Sequence, residues 1–229
     1  MRSIILLHGA IGAADQLDSL SIELTNAGFK TYALNFSGHG KLPFQNQFGI
    51  EQFANELKTF IEKNNLVKPD IFGYSMGGYV SLYSASLNQD LVGNIITLGT
   101  KFEWSPEIAM KETKMLDTKT IQEKVPKFAE ALQKRHGENW QLLLQSTASM
   151  MVDLGANNLL NKNTYAKIKN KVMLGLADND SMVSIEETDN AASKIVGSKR
   201  YTLESTKHPI ETVDTGVLSK IINDFVGAD

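Results

Sequence analysis

The chain has 229 residues, 42% hydrophobic and 21% charged, with a formal net charge of -3. That length suits one sizeable soluble domain, and the acidic balance excludes the basic footprint of a nucleic-acid binder. The absence of cysteine removes disulfides, thiolate metal sites and a cysteine nucleophile.

The first apolar run is Ile4 to Leu7. Its four apolar residues are too short for a secretory signal, so the expected location is cytoplasmic. Leu17, Leu20, Leu24 and Ala27 follow at helical spacing, with Gly28 as a stop. Thr31 to Phe36 reads as a second strand leading into a Gly-His-Gly loop. Ile50, Phe53, Leu57, Phe60 and Ile61 share one helix face. Val67 to Phe72 and Val92 to Leu98 read as the third and fourth strands. A helical region, 101 to 169, then breaks the rhythm. Within it Ser105-Pro106-Glu107 predicts an N-cap with proline at the first helical position. Trp140 to Leu154 repeats at helical period, with Gly155 as its stop. Val172 to Ala177 is the fifth strand, Ser184-Ile185-Glu186-Glu187 a capping box, and Arg200 to Leu203 the sixth strand. A last helix carries Val213, Val217, Leu218, Ile221, Ile222 and Phe225.

This alternation predicts an α/β fold: a mostly parallel sheet of about six strands with helices on both faces. No linker or low-complexity tract divides the chain, so residues 1–229 read as one domain and residues 101–169 as a helical lid inserted into it. No 18-residue apolar stretch predicts a membrane span, and no His-x-x-x-His pair or acidic calcium loop predicts a metal site.

Gly73-Tyr74-Ser75-Met76-Gly77 matches G-x-S-x-G between a predicted strand and a predicted helix. That is the context of a nucleophile elbow, where small neighbours let strand and helix meet and lift the serine hydroxyl into a cleft. A serine needs a base, and in this chain order it comes last, after an acid. His208, in "STKHPIE", follows the last strand. "GLADNDSMVS" offers two acids, Asp178 and Asp180.

Taken in order, "LLHGAIG", "NFSGHG", "GYSMGG", "LADNDSMVSIEE" and "KHPIE" resemble the alpha/beta-hydrolase family over essentially the whole chain. The family's leading hairpin is expected to be absent, which leaves six strands rather than eight. The family pattern Gly-Asp-x-Asp-x-x-Val aligns with Ala177 to Val183 and selects Asp180 as the acid. An alternative alignment through Gly175 selects Asp178. The resemblance implies a catalytic triad of Ser75, Asp180 and His208. It also implies an oxyanion hole from the N–H groups of Met76 and of Ala10, with Ile11 as the alternative.

The implied activity is a serine esterase acting on a small carboxylic ester through an acyl-enzyme, without metal or organic cofactor. A thioesterase, a carbon–carbon bond hydrolase, a perhydrolase or a hydrolase-like ligand-sensing module would share the triad. His8 and His39 read as loop architecture, and His136-Gly137 as a helix end where a partly positive imidazole suits the dipole. Trp104, Trp140, Met110, Met115, Met150 and Met151 either pack the insertion's own helices or line an apolar pocket over Ser75.

Overall fold

The computed structural model describes residues 1–227. Its six strands are β1 (Arg2–Leu7), β2 (Phe29–Leu34), β3 (Asp70–Tyr74), β4 (Ile95–Leu98), β5 (Val172–Ala177) and β6 (Lys199–Leu203). They form one sheet in the order β2-β1-β3-β4-β5-β6, every pair parallel. Between them run α1 (Asp18–Asn26), α2 (Ile50–Lys63), α3 (Met76–Leu87), α4 (Pro106–Thr113), α5 (Thr118–Lys124), α6 (Pro126–His136), α7 (Trp140–Ala156), α8 (Lys162–Tyr165) and α9 (Ile185–Lys194). Helix α10 (Thr215–Gly227) closes the described chain.

Alternation along the strands decides the two cores. Ile5, Leu7, Ile71, Ile95 and Leu174 face α2, α3 and α9. Ile4, Leu6, Phe72, Ile96 and Met173 face α1 and α10. Burial on both faces explains the near-continuous apolar runs of the inner strands.

Strand boundaries differ from the sequence reading for local reasons. β2 begins and ends two residues early because pairing of Arg2 with Phe29 through Leu7 with Leu34 fixes its register. Phe36 has already left the sheet and packs on His8 and Phe53. Val67 is 90% exposed and Lys68 takes φ +45°, so β3 starts only after Pro69. Helix α7 runs through Gly155, whose added Cβ would stand 2.7 Å from that of Ala109. This glycine lets α4 approach α7 and does not stop the helix.

The strand order turns around at β1, which has β2 on one side and β3 on the other. In such sheets the crevice beyond the strand ends at that point is where ligands bind. Leu7 pairs with Gly73, so the loops that follow β1 and β3 emerge side by side.

Candidate active site

Ser75 joins β3 to α3 at φ +50° and ψ -115°, a strained conformation for a residue with a side chain. Its N–H donates to Leu98 O at 2.8 Å, and its carbonyl accepts the Thr100 hydroxyl at 3.0 Å. The three nearby glycines are there because neighbouring atoms pass too close for a Cβ. At Gly73 it would stand 2.5 Å from the backbone of Gly78. At Gly77 it would overlap the Leu7 carbonyl, and at Gly78 the Thr100 hydroxyl. The turn therefore holds Ser75 at the start of α3. Met76, the first helical residue, has no intrahelical acceptor for its N–H.

The loops after β5 and β6, neighbouring strands, bring a carboxylate to an imidazole. His208 Nδ1 lies 2.6 Å from Asp180 Oδ2, and the Asp180 side chain is 1% exposed. Asp180 Oδ1 accepts the N–H groups of Met182 at 2.7 Å and Val183 at 3.0 Å. Burial raises the Asp180 pKa, but the His208 hydrogen bond and charge and these two N–H donors outweigh it. The carboxyl is held below its usual range. Asp178 has a different task. It accepts the N–H of Thr206 at 3.0 Å and braces the turn that leads to His208. Gly175, the glycine of the alternative alignment, lies under the Tyr201 ring, which leaves no room for a Cβ. Tyr74, next to Ser75, donates its hydroxyl to His208 O at 2.9 Å.

The loop after β1 touches the elbow: a Cβ on Gly9 would stand 3.2 Å from that of Ser75. Gly9 O accepts His8 Nδ1–H at 2.8 Å and the N–H of Gly12 at 3.1 Å. A trans peptide sets its N–H opposite its C=O, so the Ala10 N–H points away from His8. Ala10, Ser75, Met76 and His208 all line one cavity of about 380 Å³. Trp104, Met115, Met150 and Met151 line it too, whereas Met110 is exposed and Trp140 packs with Ile121, Leu132 and Leu144. Among the described residues no group of three or more His, Asp or Glu is arranged to hold a metal, and no helix is long and apolar enough to cross a membrane.

The model of the alpha/beta hydrolase fold family matches residues 2–209. The chain belongs to that family. This alpha/beta hydrolase is 32% identical over 95 residues to the pimeloyl-acyl-carrier-protein methyl ester esterase of Neisseria meningitidis, covering 42% of this chain and 35% of that protein. It is 30% identical over 103 residues to the triacylglycerol lipase of Pseudarthrobacter phenanthrenivorans, covering 42% and 32%. It is 28% identical over 106 residues to ethanol acetyltransferase 1 of Hanseniaspora uvarum, covering 46% and 32%. The matches span about a third of the length of these curated relatives. Among solved structures, the enol-lactonase from Burkholderia xenovorans superposes with a TM-score of 0.80 at 16% identity, covering 99% of this chain and 91% of that one. The monoacylglycerol lipase of Paleococcus ferrophilus superposes at 0.72 and 20% identity, covering 99% and 95%. At such identities the likeness is one of fold.

Two local readings of this alpha/beta hydrolase need correction. Ser184 caps α9 by accepting the Glu187 N–H at 3.1 Å, but Glu187 does not reach back to close the box. Its carboxylate instead accepts the N–H groups of Phe102 and Glu103, in the loop after β4. His136 does end α6, but as a neutral ring. Burial lowers its pKa, and its Nδ1 accepts the Gly40 N–H at 3.1 Å.

Sequence reasoning missed Lys101. Its ammonium donates to Met182 O at 3.0 Å and lies 3.7 Å from Glu112 and 3.6 Å from Glu187. It thus ties α4 and α9 to the loop that carries Asp180. Its place just past β4 is the one signal that could have drawn attention to it.

Proposed function

We propose that this protein is a serine hydrolase that cleaves small carboxylic esters by an acyl-enzyme route, with the helices between β4 and β5 serving as a lid on one domain. The reading rests chiefly on the 2.6 Å His208–Asp180 contact at the cavity that Ser75 also lines. With Nδ1–H donated to Asp180, the neutral imidazole keeps its lone pair on Nε2. That nitrogen takes the Ser75 proton as Oγ attacks the ester carbonyl. The N–H groups of Met76 and Ala10 stabilise the oxyanion that forms. Collapse of the intermediate expels the alcohol, which leaves with the proton from His208. Water repeats the sequence and frees the acid. Asp180 orients the ring and stabilises its charged form.

The cavity, about 380 Å³ and walled mostly by apolar side chains, with Met115, Met150 and Met151 among them, suits an apolar acyl group of modest size. Relatives named as an esterase and a lipase support ester cleavage. A second reading has an alcohol, in place of water, intercept the acyl-enzyme. The match to an ethanol acetyltransferase favours it.

A screen of p-nitrophenyl esters across acyl lengths, with thioesters in parallel, tests the function. Short to medium esters should turn over, and Ser75→Ala should not. Ethyl ester formed on adding ethanol would favour acyl transfer. Preference for thioesters, or turnover that survives Ser75→Ala, would contradict the primary reading.

A further inference from the structure

The turn Gly9 to Gly12 has the most demanding backbone beside Ser75. The Gly12 N–H donates to Gly9 O at 3.1 Å, which makes Ile11 its third residue, at φ +50°. That position ordinarily takes Gly or Asn, and a β-branched residue resists it. Such a conformation persists only where its surroundings hold it.

Two histidines hold the turn. His8 donates to Gly9 O from within the fold and accepts the Phe36 N–H on Nε2 at 3.2 Å. His136 comes from the insertion, at the last residue of α6, and its Nε2 lies 2.9 Å from Ile11 O. A backbone N–H can only donate, so the Gly40 N–H leaves His136 Nδ1 as acceptor and puts the ring proton on Nε2. That proton is donated to Ile11 O. Arg135, the preceding residue, pairs with Asp15 at 3.3 Å and with Glu211 at 3.8 Å. The end of α6 is therefore fastened to the loops after β1, β2 and β6 together.

We propose that His136 is a positioning residue for the oxyanion loop, and that its bond to Ile11 O keeps the Ala10 N–H aimed at the reacting carbonyl. The inference rests on the proposed roles of Ser75 and Ala10. If His136 lets go, Ile11 relaxes out of its left-handed state and the Gly9–Gly12 turn opens. The Gly9–Ala10 peptide then rotates, and the donor leaves its place. The insertion thus completes the site as well as roofing it.

Two variants separate the ring's bonds. His136→Gln keeps a donor at the reach of Nε2, for Ile11. His136→Asn keeps a group only at the reach of Nδ1, for Gly40. Active sites are counted with a fluorophosphonate, so that kcat refers to competent protein, and affinity for an alkyl boronic acid reports the oxyanion hole. The Asn variant should lose at least about tenfold in kcat and in boronic acid affinity with little change in KM, and the Gln variant should stay within about threefold of wild type. Adding Ile11→Gly to the Asn variant should restore most of the loss, because glycine holds the left-handed turn unaided. Wild-type kcat and boronic acid affinity in the Asn variant, equal damage in both variants, or no rescue by Ile11→Gly would overturn the role of His136. Labelling that survives Ser75→Ala would instead overturn the reading beneath it.

Discussion

At the rim of the sheet, Ser75 stands one residue past β3, Asp180 three past β5 and His208 five past β6. Each is aimed by backbone: a strained elbow, a pair of N–H donors, a turn braced by Asp178. Between β4 and β5 the cavity wall is assembled differently. Trp104, Met115, Phe128 and Met150 come from separate segments and meet only through tertiary packing. On the proposed function, the chemistry is fixed where short stretches of chain dictate geometry, and selectivity where distant side chains must find one another. His136 and Lys101 join the two regions, one holding the loop after β1 and the other the loop after β5.

If the rim carries the chemistry, its residues should dominate activity. Ser75→Ala and Asp180→Asn should each cost about four orders of magnitude in kcat, while Asp178→Asn should stay within about tenfold of wild type. Equal, mild losses in the two aspartate variants would dissolve the distinction between orienting acid and turn brace. Gly77→Ala should damage stability as well as activity. Its methyl meets the Leu7 carbonyl, so a loss of about 1–3 kcal/mol or more is expected in urea unfolding. A variant as stable as wild type would mean the elbow is less confined.

The buried histidines behind the loop after β1 set an acid limit. Burial lowers the His8 pKa from 6.5 to about 4, and burial with the neighbouring His8 ring holds that of His39 well below its usual value. The unfolded chain binds these protons first, so stability should fall as pH drops below about 6.5 and keep falling toward 4. Urea midpoints measured between pH 7.5 and 4.5 should show that decline, and a flat profile would contradict it. The smallest effect belongs to the helices between β4 and β5. Met151→Ala should enlarge the cavity and shift acyl preference toward longer chains by a few-fold, roughly 1 kcal/mol, leaving kcat on the best substrate nearly intact.

Much of the rim was legible in the sequence because its determinants are local. Gly73, Ser75 and Gly77 carry the elbow within five residues, and strand alternation placed six strands in one parallel sheet. The choice between Asp178 and Asp180 came from a family pattern, and only the folded loop shows which carboxylate meets the imidazole. The duties of Glu187 and His136 could not be read. Each looks like an ordinary helix-end residue until a loop 84 or 125 positions away closes on it. Strand ends slipped by two or three residues for a related reason, since pairing partners set them rather than local apolarity.

The central claim is a nucleophilic hydroxyl at the elbow. Treating the native protein with a fluorophosphonate and mapping the adduct by mass spectrometry of its peptides tests it most directly. One adduct on Ser75, abolished in Ser75→Ala and greatly slowed in His208→Ala, is the predicted result. An adduct on another residue, or an active protein that takes up none, would contradict it.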